Sequence, residues 1–209
     1  MIFEKGQKIV FAGDSVTDDG RKRPIGEGLG EGLGKGFVRL FDTFLTVDYP
    51  ELMIRVVNMG NAGDTSADLL KRWDSDVTAL NPDWVVLCIG FNDVWRQFDC
   101  PFQSEYAVSP EGFRTNLNAM ADKTNAKMIW MTPYYLETNR QDLMRAKMDE
   151  YRVIMKEEAA KRNIRCVDLQ AAFENILKFR YPAFITWDRV HPGWIGSMII
   201  ARALLVNVI

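Results

Sequence analysis

Short apolar runs recur along the chain, separated by longer segments that mix apolar and polar residues. Five of these runs are rich in β-branched or other apolar residues and show little alternation between apolar and polar positions. Strands that are buried on both faces have this pattern, because neither side of the sheet meets water. The sequence therefore predicts five buried strands, at residues 8–12, 55–58, 84–89, 128–131 and 164–167.

The segments between these runs carry helical periodicity, most clearly in residues 142–162. Apolar side chains recur there at Met144, Met148, Tyr151, Met155 and Ala159. The spacing of three or four residues places them on one face of a helix. Methionine fills irregular gaps in protein cores, so we interpret this stripe as a core-facing surface rather than a cofactor site.

Two further helices are indicated by their first residues. Ser109 followed by Pro110 predicts a helix start, with serine as the N-cap and proline in the first turn. The apolar segment after Pro192 predicts a final helix. Alternating strands and helices predict an α/β protein with a doubly wound parallel sheet. Ligands of such sheets bind beyond the carboxyl ends of the strands, and Ser15 directly follows the first strand.

The composition is that of an ordinary soluble globular protein, with 47% apolar and 26% charged residues. A length of 209 residues predicts one domain, spanning residues 1–209. The net charge of −2 argues against a basic surface for nucleic acid. No apolar segment is long enough for a signal peptide or a membrane span, so we expect no membrane partner and a cytoplasmic location.

Large apolar side chains are numerous, with six Trp, twelve Phe and ten Met. This abundance is consistent with a homo-oligomer, because a core of this size need not hide them all. The apolar carboxyl end of the chain could equally complete the core. The sequence leaves both interpretations open.

Histidine and cysteine counts limit the metal chemistry. The chain has one histidine, His191, and three cysteines whose spacing fits neither a zinc site nor a disulfide framework. We therefore expect no metal ion. The segment 20–36 contains seven glycines, but all lie at even positions, and Leu29 stands where a Walker motif needs glycine. We interpret it as a flexible loop beside the first strand and expect no cofactor.

Ser15 has a candidate base elsewhere in the chain. A serine nucleophile at neutral pH is most often activated by histidine, and His191 is the one available. Asp188 lies three residues before His191, where it can accept the Nδ1 proton and stabilise the imidazolium. Each motif also has a simpler interpretation, because Gly-Asp-Ser is a common turn and Asp188 could merely cap a helix.

Acyl transfer also requires hydrogen-bond donors for the negatively charged oxygen of the intermediate. Gly63 follows the second strand, where the lack of a side chain lets a backbone N–H approach a substrate. Asn92 follows the third strand, where its amide can point out of the strand end. Either residue alone could belong to a simple turn or a helix cap. Four independent turns with compatible groups at one sheet edge favour a serine hydrolase.

These four blocks, Gly13-Asp14-Ser15, Gly63, Gly90-x-Asn92-Asp93 and Asp188-x-x-His191, resemble those of the SGNH (GDSL) hydrolases and occur in the same order. The resemblance implies a three-layer α/β/α sandwich around a five-stranded parallel sheet, the flavodoxin-like SGNH hydrolase fold. It implies that Ser15 is the nucleophile, His191 the base and Asp188 its partner. The oxyanion hole would comprise the N–H groups of Ser15 and Gly63 and the amide of Asn92.

Other stretches resemble the bacterial intracellular acetylxylan esterases of this superfamily, which remove acetyl groups from xylo-oligosaccharides. They lie at residues 21–28, 92–97, 131–133 and 187–192, whereas the loop at 28–35 is richer in glycine than in that family. The resemblance implies an esterase that acts on a small acylated carbohydrate. We expect Asp14, Trp95, Arg96 and Trp187 to bind the substrate, because aromatic faces and guanidinium groups suit sugars. Arg189 could line the sugar site in the same way. Burial in the core is an equally open interpretation for Trp95, and an ion pair for Arg189.

Three alternatives compete with this hypothesis. The same chemistry could serve another acyl substrate, in a lysophospholipase, a thioesterase or an arylesterase, because fold does not determine substrate. A carbohydrate-binding or structural module would be expected to have lost a catalytic residue, and none is missing. The Gly-x-Ser-x-Gly elbow of α/β-hydrolases does not fit, because threonine stands two residues after Ser15.

Overall fold

A five-stranded parallel sheet forms the centre of the protein, in a computed structural model that describes residues 1–99, 102 and 106–209. All four strand pairs are parallel, in the spatial order β2-β1-β3-β4-β5. The strands are β1 (Lys8–Gly13), β2 (Arg55–Gly60), β3 (Trp84–Cys88), β4 (Lys127–Met131) and β5 (Arg165–Val167). The five predicted strands are thus confirmed, with small shifts at their ends.

Helices pack in two groups around this sheet. The α-helices among the described residues are α1 (Ser15–Asp18), α2 (Phe37–Asp48), α3 (Ser66–Lys71), α4 (Trp73–Asp76), α5 (Phe91–Asp99), α6 (Pro110–Asp122), α7 (Leu143–Lys161), α8 (Leu169–Leu177) and α9 (Trp194–Val208). Short 3-10 turns lie at Pro50–Leu52, Thr78–Leu80 and Pro182–Phe184. Helix α9 packs against α2 and α8, whereas α6 packs against α3 and α7. Two helical layers enclosing a parallel sheet form the predicted α/β/α sandwich.

The helix starts follow the sequence signals. Ser109 caps α6 by accepting a hydrogen bond from the N–H of Gly112, with Pro110 in the first turn. On α7, four of the five residues in the predicted stripe are buried, and Met144 is partly buried. The stripe therefore faces the core. No helix of the described segments is both long and apolar enough to cross a membrane.

The order of the strands determines where a ligand site can lie. In a sheet of order 2-1-3-4-5, the connections leave β1 and β3 in opposite directions, and a crevice opens between their carboxyl ends. Gly13 lies at that end of β1, opposite Gly60 of β2 and Cys88 of β3. A Cβ at Gly13 would overlap the Cys88 carbonyl and the Thr17 hydroxyl. Glycine is therefore required where the chain turns from β1 into α1.

Candidate active site

Ser15 and the distant pair of Asp188 and His191 form one hydrogen-bonded row of side chains at this edge. Ser15 begins α1 directly after β1, and its Oγ lies 2.7 Å from Nε2 of His191. His191 precedes α9, and its Nδ1 lies 2.5 Å from Oδ2 of Asp188. With the Nδ1 proton directed to the carboxylate, Nε2 is free to accept the Ser15 proton. The structure thus brings the three predicted catalytic residues together.

Asp188 is held by several donors besides His191. Its Oδ1 accepts hydrogen bonds from the hydroxyl of Thr186 at 3.0 Å and from the backbone N–H groups of Val190 and His191. Burial by itself would raise the pKa of Asp188, but the hydrogen bonds from His191 and the backbone lower it below its usual value. The carboxylate therefore stays ionised opposite His191. Thr186 was not predicted, because a threonine two residues before an aspartate carries no distinctive signal.

Asp14 lies beside the nucleophile but has no exposed surface. It is the N-cap of α1, and its Oδ1 accepts a hydrogen bond from the N–H of Val16 at 3.1 Å. Burial raises the pKa of this carboxyl well above its usual range. The predicted contact between Asp14 and substrate therefore has no surface through which to form. The structure instead gives Asp14 the role of a cap that shapes the turn at Ser15.

The predicted oxyanion donors come from three neighbouring strand ends. The N–H of Asn61 donates to the Gly13 carbonyl at 2.9 Å, which joins the loop after β2 to the end of β1. The amide of Asn92 donates to the carbonyl of Asp64 at 3.0 Å, which joins α5 to the same loop. Gly63 lies in this loop, is exposed and has a φ of 89°. Glycine adopts this left-handed conformation at little cost.

The backbone N–H groups of Ser15 and Gly63 have no acceptor among the described residues. Asn92 uses one of its two amide hydrogens on Asp64, which leaves the other for a ligand. Three donors at one edge can stabilise the charge that develops on a carbonyl oxygen when a serine attacks it. The arrangement is therefore chemically suited to acyl transfer.

Comparison with known proteins agrees with this geometry. The model of the GDSL-like lipase/acylhydrolase family matches residues 11–198, which include every residue of the row and all three donors. The chain belongs to this family. The match therefore confirms the resemblance to GDSL hydrolases that the sequence blocks indicated.

Similar proteins with solved structures have the same fold. The chain is 49% identical over 208 residues to an acetylxylan esterase of Geobacillus stearothermophilus. The alignment covers 98% of this chain and 95% of that protein. A crystal structure of a catalytic serine-to-alanine mutant of Axe2, an acetylxylan esterase from the same organism, superposes on this protein with a TM-score of 0.98 and 47% identity. The superposition covers all of this chain and 96% of the Axe2 chain. LAE5, an α/β hydrolase from the metagenome of Lake Arreo, is 43% identical and superposes with a TM-score of 0.97, over all of this chain and 97% of the LAE5 chain. The predicted fold class is confirmed.

Two tryptophans flank His191. The ring of Trp187 lies parallel to that of His191, with 5.8 Å between centroids, and its side chain is 82% exposed. The ring of Trp95 lies 5.7 Å from the same imidazole and also packs against the core. Trp95 is therefore partly buried in the core and also borders the site, and its contact with substrate stays a prediction. The two predicted tryptophans border the site and leave one large aromatic face, that of Trp187, open to a ligand.

The predicted arginines at the site are engaged in ion pairs. Arg96 pairs with Asp99 at 2.5 Å, and Arg189 pairs with Glu137 at 3.0 Å. Their guanidinium groups are partly exposed, so a ligand would share them with these carboxylates. In the chain as described, no group of three or more His, Cys, Asp and Glu residues could hold a metal ion.

The glycine-rich loop lies beside the site and is anchored to the sheet. Gly26 forms a bridge with Asn58 of β2, whose amide also donates to the carbonyl of Leu33 at 2.9 Å. Asp18 of α1 pairs with Arg23 of the loop and accepts a hydrogen bond from the N–H of Ala62 at 3.0 Å. The loop thus contacts α1, which begins at Ser15, and β2, the strand that precedes the turn containing Gly63. Sequence spacing predicted its position but could not show these anchors.

Proposed function

We propose that this protein is a serine esterase that removes acetyl groups from xylo-oligosaccharides. The hydrogen-bonded row of Ser15, His191 and Asp188 at the sheet edge carries the proposal. Support for the substrate class comes from the 49% identity to an acetylxylan esterase over nearly the whole chain. In the crystallised catalytic mutants of Axe2, the replaced aspartate and histidine are three positions apart, as Asp188 and His191 are here.

The reaction would proceed in two steps through an acetyl-enzyme. Ser15 Oγ attacks the acetyl carbonyl while His191 Nε2 takes its proton, and the carbonyl oxygen becomes an oxyanion held by the donors of Ser15, Gly63 and Asn92. The intermediate collapses as His191 gives that proton to the leaving sugar oxygen. A water molecule, deprotonated by His191, then attacks the acetyl-serine, and acetate leaves as the proton returns to Ser15.

The surroundings of the site support a sugar as the alcohol part of the substrate. Trp187 presents a flat, exposed aromatic face next to His191, where the leaving oxygen would lie. Aromatic faces suit pyranose rings, because the ring's C–H groups pack on the π surface. Trp95, which lies on α5, borders the same imidazole. We propose that these two tryptophans contact the carbohydrate, with Arg96 at the margin.

Hydrolysis of 4-nitrophenyl acetate, butyrate and octanoate would test this function, together with acetyl release from acetylated xylo-oligosaccharides. The wild type is expected to act on the acetyl ester and the oligosaccharide, and Ser15→Ala to act on neither. Thr115→Ala removes one hydroxyl from an exposed position on α6 and serves as the matched control. A preference for octanoate would point instead to a lysophospholipase or thioesterase. Equal activity of wild type and Ser15→Ala would overturn the mechanism.

We further propose that the chain self-associates. Several large apolar side chains within residues 179–198 are exposed, at Phe179, Tyr181, Phe184, Trp194, Ile195 and Met198. Exposed apolar surface of this kind is typical of protein interfaces. Sedimentation equilibrium is expected to give a mass above the monomer's 23.9 kDa. A monomer at micromolar concentration would contradict this proposal. The cytoplasmic location stays a prediction from the sequence.

A further inference from the structure

One arginine outside the catalytic row contacts the strand ends that carry the oxyanion donors. Arg72 lies between α3 and α4, and its side chain is only 17% exposed. Its Nη2 donates to the carbonyl of Gly13 at 3.1 Å, and its Nη1 donates to the carbonyl of Met59 at 2.8 Å. Its Nε donates to Oδ2 of Asp64 at 2.6 Å. A single guanidinium thus binds the ends of β1 and β2 and the loop that follows β2.

Two of these acceptors, at Gly13 and Asp64, lie close in the chain to a predicted donor. Gly13 precedes Ser15 by two residues, so its carbonyl helps to set where the Ser15 N–H lies. Asp64 directly follows Gly63, so its carboxylate holds the turn that presents the Gly63 N–H. The same residue's backbone carbonyl accepts the Asn92 amide at 3.0 Å and thereby orients the third donor.

Asp64 is the point through which Arg72 reaches two of the donors. Its Oδ1 accepts a hydrogen bond from the Asn61 amide at 2.6 Å, and its N–H donates to the Asn61 carbonyl at 3.2 Å. With Oδ2 on Arg72, both carboxylate oxygens are bound. The turn 61–64 is therefore fixed at both of its ends, and its backbone cannot shift without breaking the ion pair.

From these contacts we propose that Arg72 is a positioning residue that holds the three oxyanion donors in register. The inference rests on the proposed esterase function. Oxyanion donors are effective only if they are in place before the charge develops, because the cost of arranging them has then been met during folding. Arginine suits this task, since its planar fork reaches several acceptors in fixed directions, whereas lysine offers one compact charge.

Kinetics of Arg72→Ala and Arg72→Lys on 4-nitrophenyl acetate provide the test. A donor displaced by about 1 Å can cost on the order of 100-fold in rate, so we expect kcat to fall about 10- to 100-fold for Arg72→Ala. KM should change by less than about threefold, because the donors act mainly in the transition state. Arg72→Lys should recover only part of the loss. Added guanidinium, far below denaturing concentrations, should restore kcat of Arg72→Ala, whereas sodium at equal ionic strength should not.

Arg152→Ala is the matched control. Arg152 is a similarly shielded arginine that donates two hydrogen bonds to Asp168, away from the catalytic edge. This variant should lose stability to urea but keep kcat. A similar fall in kcat for Arg152→Ala, or an Arg72→Ala enzyme that is folded and within threefold of wild type, would overturn the proposal. If Arg72→Ala does not fold, Arg72→Lys and Arg72→Gln are judged by the same two criteria.

Hydrogen exchange separates this proposal from the proposed function. Amides of residues 58–66 should exchange faster in Arg72→Ala than in wild type, with α7 unchanged. A wild type that is inactive on every ester would refute the esterase function, yet faster exchange confined to 58–66 would still support Arg72 as the residue that positions the turn. Unchanged exchange in this segment would count against Arg72 whatever the activity.

Discussion

Two buried carboxylates are held in opposite ways in different regions of the molecule. Asp93 follows Asn92 at the catalytic edge, is fully buried, and accepts hydrogen bonds from the N–H and hydroxyl of Ser66. Glu158 lies on the flank where α7 packs against α6, and it pairs with Arg114 and Lys161. No lysine or arginine of the described residues forms such a pair with Asp93.

The pKa values of the two groups move in opposite directions. Burial raises the pKa of Asp93 to about 6, although the Ser66 donors partly oppose it. Hydrogen bonds from Lys161 and Asn118 lower the pKa of Glu158 to about 2. Neutral donors thus hold Asp93 at the edge, whereas cations and an amide hold Glu158 where two helices pack together.

The largest expected effect is the loss of activity when a carboxylate of the catalytic edge is neutralised. Asp188→Asn should lower kcat about 10⁴-fold, because an amide no longer holds His191 in the tautomer that accepts the Ser15 proton. Steady-state kinetics on 4-nitrophenyl acetate measure this. Glu158→Gln is the matched change on the flank and should leave kcat unaltered. Comparable losses in both variants would remove the distinction between the two regions.

Removing one amide should likewise affect activity at the edge and stability on the flank. Asn92→Ala should lower kcat about 100- to 1,000-fold with little change in KM, because one oxyanion donor is lost. Asn118→Ala deletes an amide that donates to Glu158 at 3.0 Å and should reduce only the free energy of unfolding. An Asn92→Ala enzyme with normal kcat and a raised KM would show that Asn92 binds the ground state instead.

Replacing Asp93 should change the pH dependence of stability. Because its folded pKa of about 6 lies above the usual aspartate value of 3.8, its favourable contribution is complete below about pH 4 and is lost as the pH rises through 6. Asn cannot ionise, so this loss does not occur in Asp93→Asn. The free energy of unfolding of Asp93→Asn, relative to that of wild type, should therefore rise by up to about 3 kcal/mol between acid and neutral pH. Urea unfolding at several pH values measures the difference. A constant difference would mean that Asp93 does not titrate in this range.

Replacing Glu158 should give the opposite dependence and a smaller effect. Its folded pKa of about 2 lies below the usual 4.5, so its stabilisation is present above pH 4.5 and is lost as the pH falls towards 2. Glu158→Gln should therefore lower the free energy of unfolding at neutral pH by about 2 kcal/mol, since Lys161 and Arg114 are partly exposed and screened by solvent. The deficit should shrink in acid. A deficit that grows in acid would contradict the assignment.

Local sequence predicted the elements well, because it determines them directly. The non-alternating apolar runs became buried parallel strands, and Ser109-Pro110 became the start of α6. The stripe on α7 did face the core, but Glu158 is buried near it and was not anticipated. A charge at a helix position is expected to be solvated, and the local pattern cannot show that α6 supplies Arg114 and Asn118 as further partners that make this burial tolerable.

For the site, the sequence by itself determined the inventory of reactive groups. With one histidine in the chain, few partners for Ser15 were available, and strand ends of a parallel sheet necessarily meet at one edge. The tertiary structure alone decided which neighbours position them. Thr186 on Asp188, the burial of Asp14 and the reach of Arg72 to the Gly13 carbonyl depend on side-chain directions and on contacts between residues far apart in the chain. No local pattern encodes such contacts, because they form only when separate strands and helices have packed together.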